Sequence, residues 1–219
     1  MSKNGTNSLA HIKGIIFDYG EVLCLAPTHS EAEASARIMG LPVERYRELW
    51  LRHRDPYDRG DFAAEAYWNM LARDAGTELN AEQLRQLANL DVQMWSRINP
   101  AMIKWLKELS TAGIRMAVLS NMHLDMIVHA RKNFSWLELL HHHTFSAEVR
   151  LIKPDPAIYD HCIQGLGTAP AETLFLDDRE VNVNAARARG LHALQFRSIS
   201  ELRGELEAGG FPVLPPVVD

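Results

Sequence analysis

The sequence predicts an α/β protein with a doubly wound parallel sheet and a small four-helix insert after its first strand. Three observations carry this. Short, continuous apolar runs alternate with longer segments of helical period. Each of the main runs ends in an acidic or hydroxylated residue followed by a break. Residues 28–97, between the first two runs, show no strand signal at all. Alternation of strand and helix implies βαβ units and a parallel sheet.

The first run, Ile12 to Asp18, reads I-K-G-I-I-F-D and is broken by Gly20. Its unbroken apolar character suits a strand buried on both faces. The insert follows. Apolar periodicity predicts helices near Ser30–Met39, Val43–His53, Asp61–Ala75 and Ala81–Ser96. Breaks fall at Gly40-Leu41-Pro42, between Asp55 and Gly60, and at Gly76. This divides the chain into a core, 11–25 with 98–219, and a cap, 26–97. The aromatic residues of the insert, Trp50, Tyr57, Phe62, Tyr67, Trp68 and Trp95, fall mostly at helical spacing and read as cap interior. One or two are expected to close over a bound molecule.

Beyond the insert, Pro100–Ala112 reads as a helix with proline in its first turn and Gly113 as its stop. Ile114–Ser120 is the second strand. His141-His142-His143 looks like a metal-binding tract, but consecutive residues cannot all face one ion, so it is read as a polar connection entering a strand at Thr144. Asp155–Leu166 and Val181–Arg189 are helices closed by Gly167 and Gly190. Thr173–Asp177 is a strand, and His192–Phe196 a weaker one. Pro212, Pro215 and Pro216 make Phe211–Asp219 an extended tail.

Composition excludes several partners. A net charge of −5 without a basic stripe argues against nucleic acid. No stretch reaches the apolar length of a membrane span. The polar segment Met1–Ala10 lacks the apolar run of a signal peptide, so a cytoplasmic protein is expected. Cys24 and Cys162 form no framework of spacings and are read as small core residues.

In open α/β sheets, ligands bind beyond the carboxyl ends of the strands. The first strand ends in Asp18, the second in Ser120-Asn121 and the third in Asp177-Asp178. A connection before the third carries Lys153-Pro154-Asp155-Pro156. Asp18 and Asp178 are hard oxygen ligands suited to Mg²⁺, and clustered carboxylates call for a cation. A carboxylate can attack phosphorus to give an aspartyl-phosphate. Lys153 can steady Asp18 and balance phosphoryl charge, the Ser120 hydroxyl can hold a transferring oxygen, and Asn182 can orient the lysine or the carboxylates. Singly, a strand-end Asp is a turn residue and an Asp pair before a helix is a cap. Their order along successive strand ends is far more specific.

The segments F-D-Y-G-E-V-L (Phe17–Leu23), V-L-S-N (Val118–Asn121), K-P-D-P-A-I-Y (Lys153–Tyr159) and F-L-D-D-R-E-V-N (Phe175–Asn182) resemble the four motifs of the haloacid dehalogenase-like hydrolases. The resemblance runs from Lys13 to Phe196 and includes a helical cap at the family's first insertion point. It implies a Rossmann-like core, Mg²⁺ dependence and an aspartyl-phosphate mechanism. Asp18 resembles the nucleophile and a metal ligand, and Gly20 would offer its backbone carbonyl to the metal. Ser120 and Asn121 resemble the phosphate-binding pair, Lys153 the charge-balancing lysine, Asp178 the direct metal ligand and Asp177 an indirect or water-mediated one.

One departure matters. Most phosphatases of this family carry a second Asp two residues after the nucleophile, which protonates the leaving group and later activates water. This chain has Gly20 there, as in the sugar-1-phosphate phosphatases and the phosphatase domain of epoxide hydrolases. A missing acid–base group is worth about 10²–10⁴-fold. Substrates with good leaving groups are therefore expected, such as anomeric or acyl phosphates. Glu21, His29, His53, Asp58 and, best placed, His123 are surrogate acids to test. The expected function is a Mg²⁺-dependent phosphatase for a small phosphorylated metabolite. A catalytically weak phosphate-binding protein is the alternative. A haloacid dehalogenase is disfavoured, because Tyr19 stands one residue too early for that motif.

Overall fold

The computed structural model describes residues 8–217; the readings made for Met1–Asn7 and for Val218-Asp219 lie outside them. Five parallel strands form one sheet in the order β3-β2-β1-β4-β5. They are β1 (Gly14–Phe17), β2 (Arg115–Ser120), β3 (His142–Phe145), β4 (Thr173–Asp177) and β5 (His192–Gln195). The central strand β1 pairs Ile15 with Met116 on one side and with Leu174 on the other. Chain order turns from one side of β1 to the other between β3 and β4, which places the switch point at the carboxyl ends of β1 and β4.

Successive strand residues point to opposite faces, and the core follows that rule. Ile15 and Phe17 face one layer with Trp105, Leu106 and Leu109, while Ile16 faces the other with Phe175, Ile158 and Cys162. Helices α6 (Pro100–Thr111), α7 (Leu124–Asn133) and α11 (Ile199–Ala208) belong to the first layer; α9 (Pro156–Leu166) and α10 (Glu180–Ala188) belong to the second. The tail is not free. Phe211 is buried against Trp105, whose indole N–H donates to the Val213 carbonyl at 2.9 Å. Cys24 and Cys162 are unpaired, and burial pushes both thiols up to about 12.

The insert holds α1 (His29–Met39), α2 (Val43–Arg52), α3 (Arg54–Asp58), α4 (Ala64–Ala75) and α5 (Ala81–Met94). That is one helix more than the four expected. Asp55-Pro56 reads as a break, but proline is tolerated in a helix's first turn, where its missing N–H has no partner to lose. Ala32, Ala36, Met39, Leu49, Tyr67 and Trp68 form the insert's own apolar cluster. The chain enters and leaves the insert through paired backbone: Cys24 bridges Ile98, and the Leu25 N–H donates to the Arg97 carbonyl at 2.7 Å. A second tie lies at Gly60 (φ 82°), where a Cβ would come within 2.8 Å of the Ala147 carbonyl on the short helix α8 (Ser146–Val149).

The histidine tract is a correction of detail. β3 begins at His142, two residues before Thr144. His142 packs over Gly165, His143 stacks on Phe145, and the His141 Nδ1 accepts from the Met116 N–H. The three rings have separate partners, and alternation along β3 sends His142 and His143 to opposite faces.

Candidate active site

Asp18 follows β1 directly. A single wide turn, Tyr19–Leu23, closes behind it with the Cys24 N–H donating to the Tyr19 carbonyl at 3.0 Å. Glu21 sits at φ 54°, a left-handed conformation that non-glycine residues seldom adopt. The turn aims the Tyr19 N–H back at Asp18 Oδ1, 2.6 Å away. The Lys153 ammonium holds the same oxygen at 2.7 Å. One carboxylate oxygen is therefore clamped, and Oδ2 is left for other chemistry.

Lys153 is itself fixed. Its Nζ lies 2.7 Å from Asp177 Oδ2, and its backbone is gripped by the Asn121 amide: Lys153 N–H to Oδ1 at 2.8 Å, and Nδ2 to the Lys153 carbonyl at 3.0 Å. Asp177 is fully buried. It also accepts from the Arg179 N–H at 2.9 Å and from Asn182 Nδ2 at 2.9 and 3.1 Å. Both Asp177 oxygens are thus occupied by protein donors, in keeping with an indirect relation to any metal. The Asn121 side chain is likewise engaged, by the Lys153 backbone. Ser120 lies buried beside it.

Oxygens of Asp18, Asp177 and Asp178 lie within 4.8 Å of one another. Burial pushes the Asp18 carboxyl up, Lys153 pulls it back, Asp177 and Asp178 push again, and the balance is about 8. Asp178 is raised to about 6 by burial, then by Asp177 and Glu21. For Lys153, burial opposes the charge, but Asp177 and Asp18 outweigh it and hold the ammonium well above its ordinary range. One buried cation facing three carboxylates leaves excess negative charge, and a hard divalent ion with few protein ligands fits that donor set.

This gives a test that needs no substrate. A carboxyl raised on folding makes the folded state bind more protons, so this cluster opposes folding increasingly as pH rises from the ordinary carboxylate range through 6 and 8. A cation relieves that penalty. Mg²⁺ should therefore raise the Tm clearly more at pH 8 than at pH 5, read by thermal denaturation. An equal gain at both would contradict the assignment of these carboxylates to a metal site.

The cavity in front of Asp18 has a volume of about 530 Å³ and is closed on its far side by the insert. Of the surrogate acids, Glu21, Asp58 and His123 reach its lining, whereas His29 and His53 do not; His53 instead pairs with Asp74 at 2.9 Å. His123 does not point a nitrogen at the cavity. Its Nε2 lies 3.0 Å from Asp91 Oδ2, its ring stacks on Tyr57, and both ring nitrogens are buried.

Asp91 centres a network that sequence reading did not find. It accepts two bonds from Arg54 Nη1, at 2.9 and 2.8 Å, and one from Trp50 Nε1 at 3.1 Å. Arg54 Nε donates to Asp58 at 3.0 Å. Burial would raise Asp91, but Arg54 and then His123 outweigh it and hold the carboxyl well below the usual range. Asp58 is raised by burial, which Arg54 and His123 offset only in part. The guanidinium is thus shared between Asp91 and Asp58. These groups join three insert helices, α2, α3 and α5, to the start of α7.

Comparison with known proteins agrees with this architecture. The profile of the haloacid dehalogenase-like hydrolases matches residues 12–190. The chain is 27% identical to a sesquiterpene phosphatase, astK, of Aspergillus oryzae, over 84% of this chain and 89% of that one. It is 24% identical to a D-ribitol-5-phosphate phosphatase of Bacteroides thetaiotaomicron, over 89% and 97%. A HAD family enzyme of Bacteroides thetaiotaomicron, solved in complex with magnesium and inorganic phosphate, superposes with a TM-score of 0.69 at 19% identity, covering 85% of this chain and 94% of that one. With its parallel sheet, its motif residues at successive strand ends and a profile match over most of its length, the chain belongs to the haloacid dehalogenase-like hydrolases.

Proposed function

We propose that the protein is a Mg²⁺-dependent phosphatase for a small phosphorylated metabolite, working through an aspartyl-phosphate on Asp18. The observation that carries this is the double clamp of Lys153, 2.7 Å from both Asp18 and Asp177, which leaves Asp18 Oδ2 free to attack. Two full-length relatives named as phosphatases support the reaction class. Among the described residues, no helix is long and apolar enough to cross a membrane.

Asp18 Oδ2 attacks phosphorus, the bond to the leaving oxygen breaks, and the departing oxygen takes its proton from water. A second water then attacks phosphorus, giving up a proton to the hydroxide left by the first, which frees inorganic phosphate and restores the carboxylate. Lys153 keeps Asp18 oriented and offsets phosphoryl charge, Ser120 and the Asn121 main chain hold the peripheral oxygens, and Asn182 holds Asp177 to the lysine. Asp18, the Gly20 carbonyl and Asp178 would hold Mg²⁺, which neutralises charge on the transferring group when bound. Residues 26–97 serve as the cap, tied to the core by Asp91 and His123.

Gly20 has no acid to offer, and the Trp95 ring lies 3.6 Å from where its Cβ would stand. Turnover should therefore depend steeply on the leaving group. Glucose 1-phosphate is expected to be hydrolysed at least ~10-fold faster than glycerol 3-phosphate, the acid being worth about 10²–10⁴-fold where one exists. Equal rates for the two, in a phosphate-release assay, would sink this part of the account.

A further inference from the structure

The cavity before Asp18 has two unlike ends. One is the charged group already described. The other wall is made by Tyr19, Trp50, Leu51, Trp95, Met122 and Met126.

Arg54, Asp58 and His123 also touch this wall, but most of their polar atoms are bonded or enclosed. Arg54 Nε is bonded to Asp58 and Nη1 to Asp91, and the Trp50 N–H is bonded to Asp91, which leaves Arg54 Nη2 as the one open donor among them. Asp58 Oδ1, both His123 nitrogens and Trp95 Nε1 have essentially no exposed surface. The Tyr19 hydroxyl donates to the Trp95 carbonyl. Arg54 Nη2 apart, these residues offer carbon to the cavity rather than hydrogen bonds. Glu21, Asp55 and Arg179 are exposed at the rim, as is Leu51. A hydroxyl-rich body on this wall would surrender its water without gaining partners. An apolar body would gain by leaving water.

We propose that the substrate's phosphate is joined to an apolar body, aliphatic or aromatic, and that Trp95 with Met122 and Met126 forms its recognition surface. This rests on the phosphatase reading for its kinetic consequence, though not for its binding consequence. Trp95 covers Gly20, so the same residue that stands where an acid is missing also shapes the seat of the leaving group. Met122 and Met126 line the cavity with little exposed surface, 3% and 1%, and their flexible side chains can give way to such a body.

A homologous series of n-alkyl phosphates, ethyl to octyl, tests this with leaving-group chemistry held constant. With Mg²⁺ present, kcat/KM should rise about fourfold for each added methylene until the cavity fills. Trp95→Ala and, independently, Met126→Gln should flatten that slope, whereas a purely structural role would lower every member by the same factor. A flat or falling series, or glycerol 3-phosphate equalling butyl phosphate, would overturn the proposal. If no ester is hydrolysed, the phosphatase reading fails on its own account. Calorimetric binding of the matching alkylphosphonates to the Mg²⁺-loaded protein then decides the apolar seat: affinity climbing with chain length supports it, and constant affinity overturns it.

Discussion

Replacing Asp18 with asparagine should lower phosphatase turnover by roughly 10⁴-fold or more, because deleting the nucleophile of a covalent mechanism removes the pathway rather than tuning it. The fold should survive the change. Asp18 is buried with its carboxyl raised to about 8, so at neutral pH in the absence of Mg²⁺ the native carboxylate is a liability. The asparagine variant should melt no lower than the parent when Mg²⁺ is withheld. An intact circular dichroism spectrum with lost turnover is the expected pair of results. Turnover within tenfold of the parent would remove Asp18 from the chemistry.

Lys153→Met should damage both activity and stability. The ammonium is buried and touches Asp18 and Asp177, each at 2.7 Å. Removing one partner of a buried ion pair typically costs about 3–5 kcal/mol, because the remaining charge is stranded. For a chain of this size that is a fall in Tm of roughly 10 °C. Activity should fall about 10²–10³-fold, the range seen when a positioned charge or donor is withdrawn from a developing transition state. The two substitutions touch one cluster, so they should not add. Asp18→Asn in the Lys153→Met background leaves one fewer uncompensated carboxylate, and the double variant should regain part of the lost stability. Differential scanning calorimetry of the four proteins checks this, and strict additivity would contradict the shared-cluster account.

The sheet and the catalytic end of the cavity were legible because their signals are local. Apolar runs ending in Asp18, Ser120 and Asp177 give strands and strand ends together, and parallel pairing then brings those ends to one rim. The cap interior was legible as well, since Ala32, Ala36 and Met39 keep a helical period. The Arg54–Asp91–His123 network was not legible. Arg54 and Asp91 lie on two separate insert helices and His123 on the core, and only packing of the insert onto α7 makes them partners. Nothing in the local spacing marks Asp91, which in a helix reads as one more solvated acid. His123 stands in the sequence only as the best placed surrogate acid to test, because its engagement with Asp91 is tertiary. The helix α3 was hidden by Pro56, and Trp95 was recognised as cap aromatic without any sign that it would cover Gly20. The missing acid was visible in the sequence; what takes its space was not.

If phosphate passes through Asp18, the covalent intermediate can be trapped. The protein should be mixed with Mg²⁺ and a phosphomonoester that it turns over, quenched with acid on the millisecond scale, digested and analysed by mass spectrometry. Gly20 supplies no base to activate the hydrolytic water, so release of the phosphoryl group should be slow enough for the intermediate to accumulate. The account predicts an acyl phosphate on the peptide bearing Asp18, formed in a burst and absent from Asp18→Asn. Steady phosphate release with Asp18 unmodified throughout, or with the phosphoryl group on another residue, would contradict it.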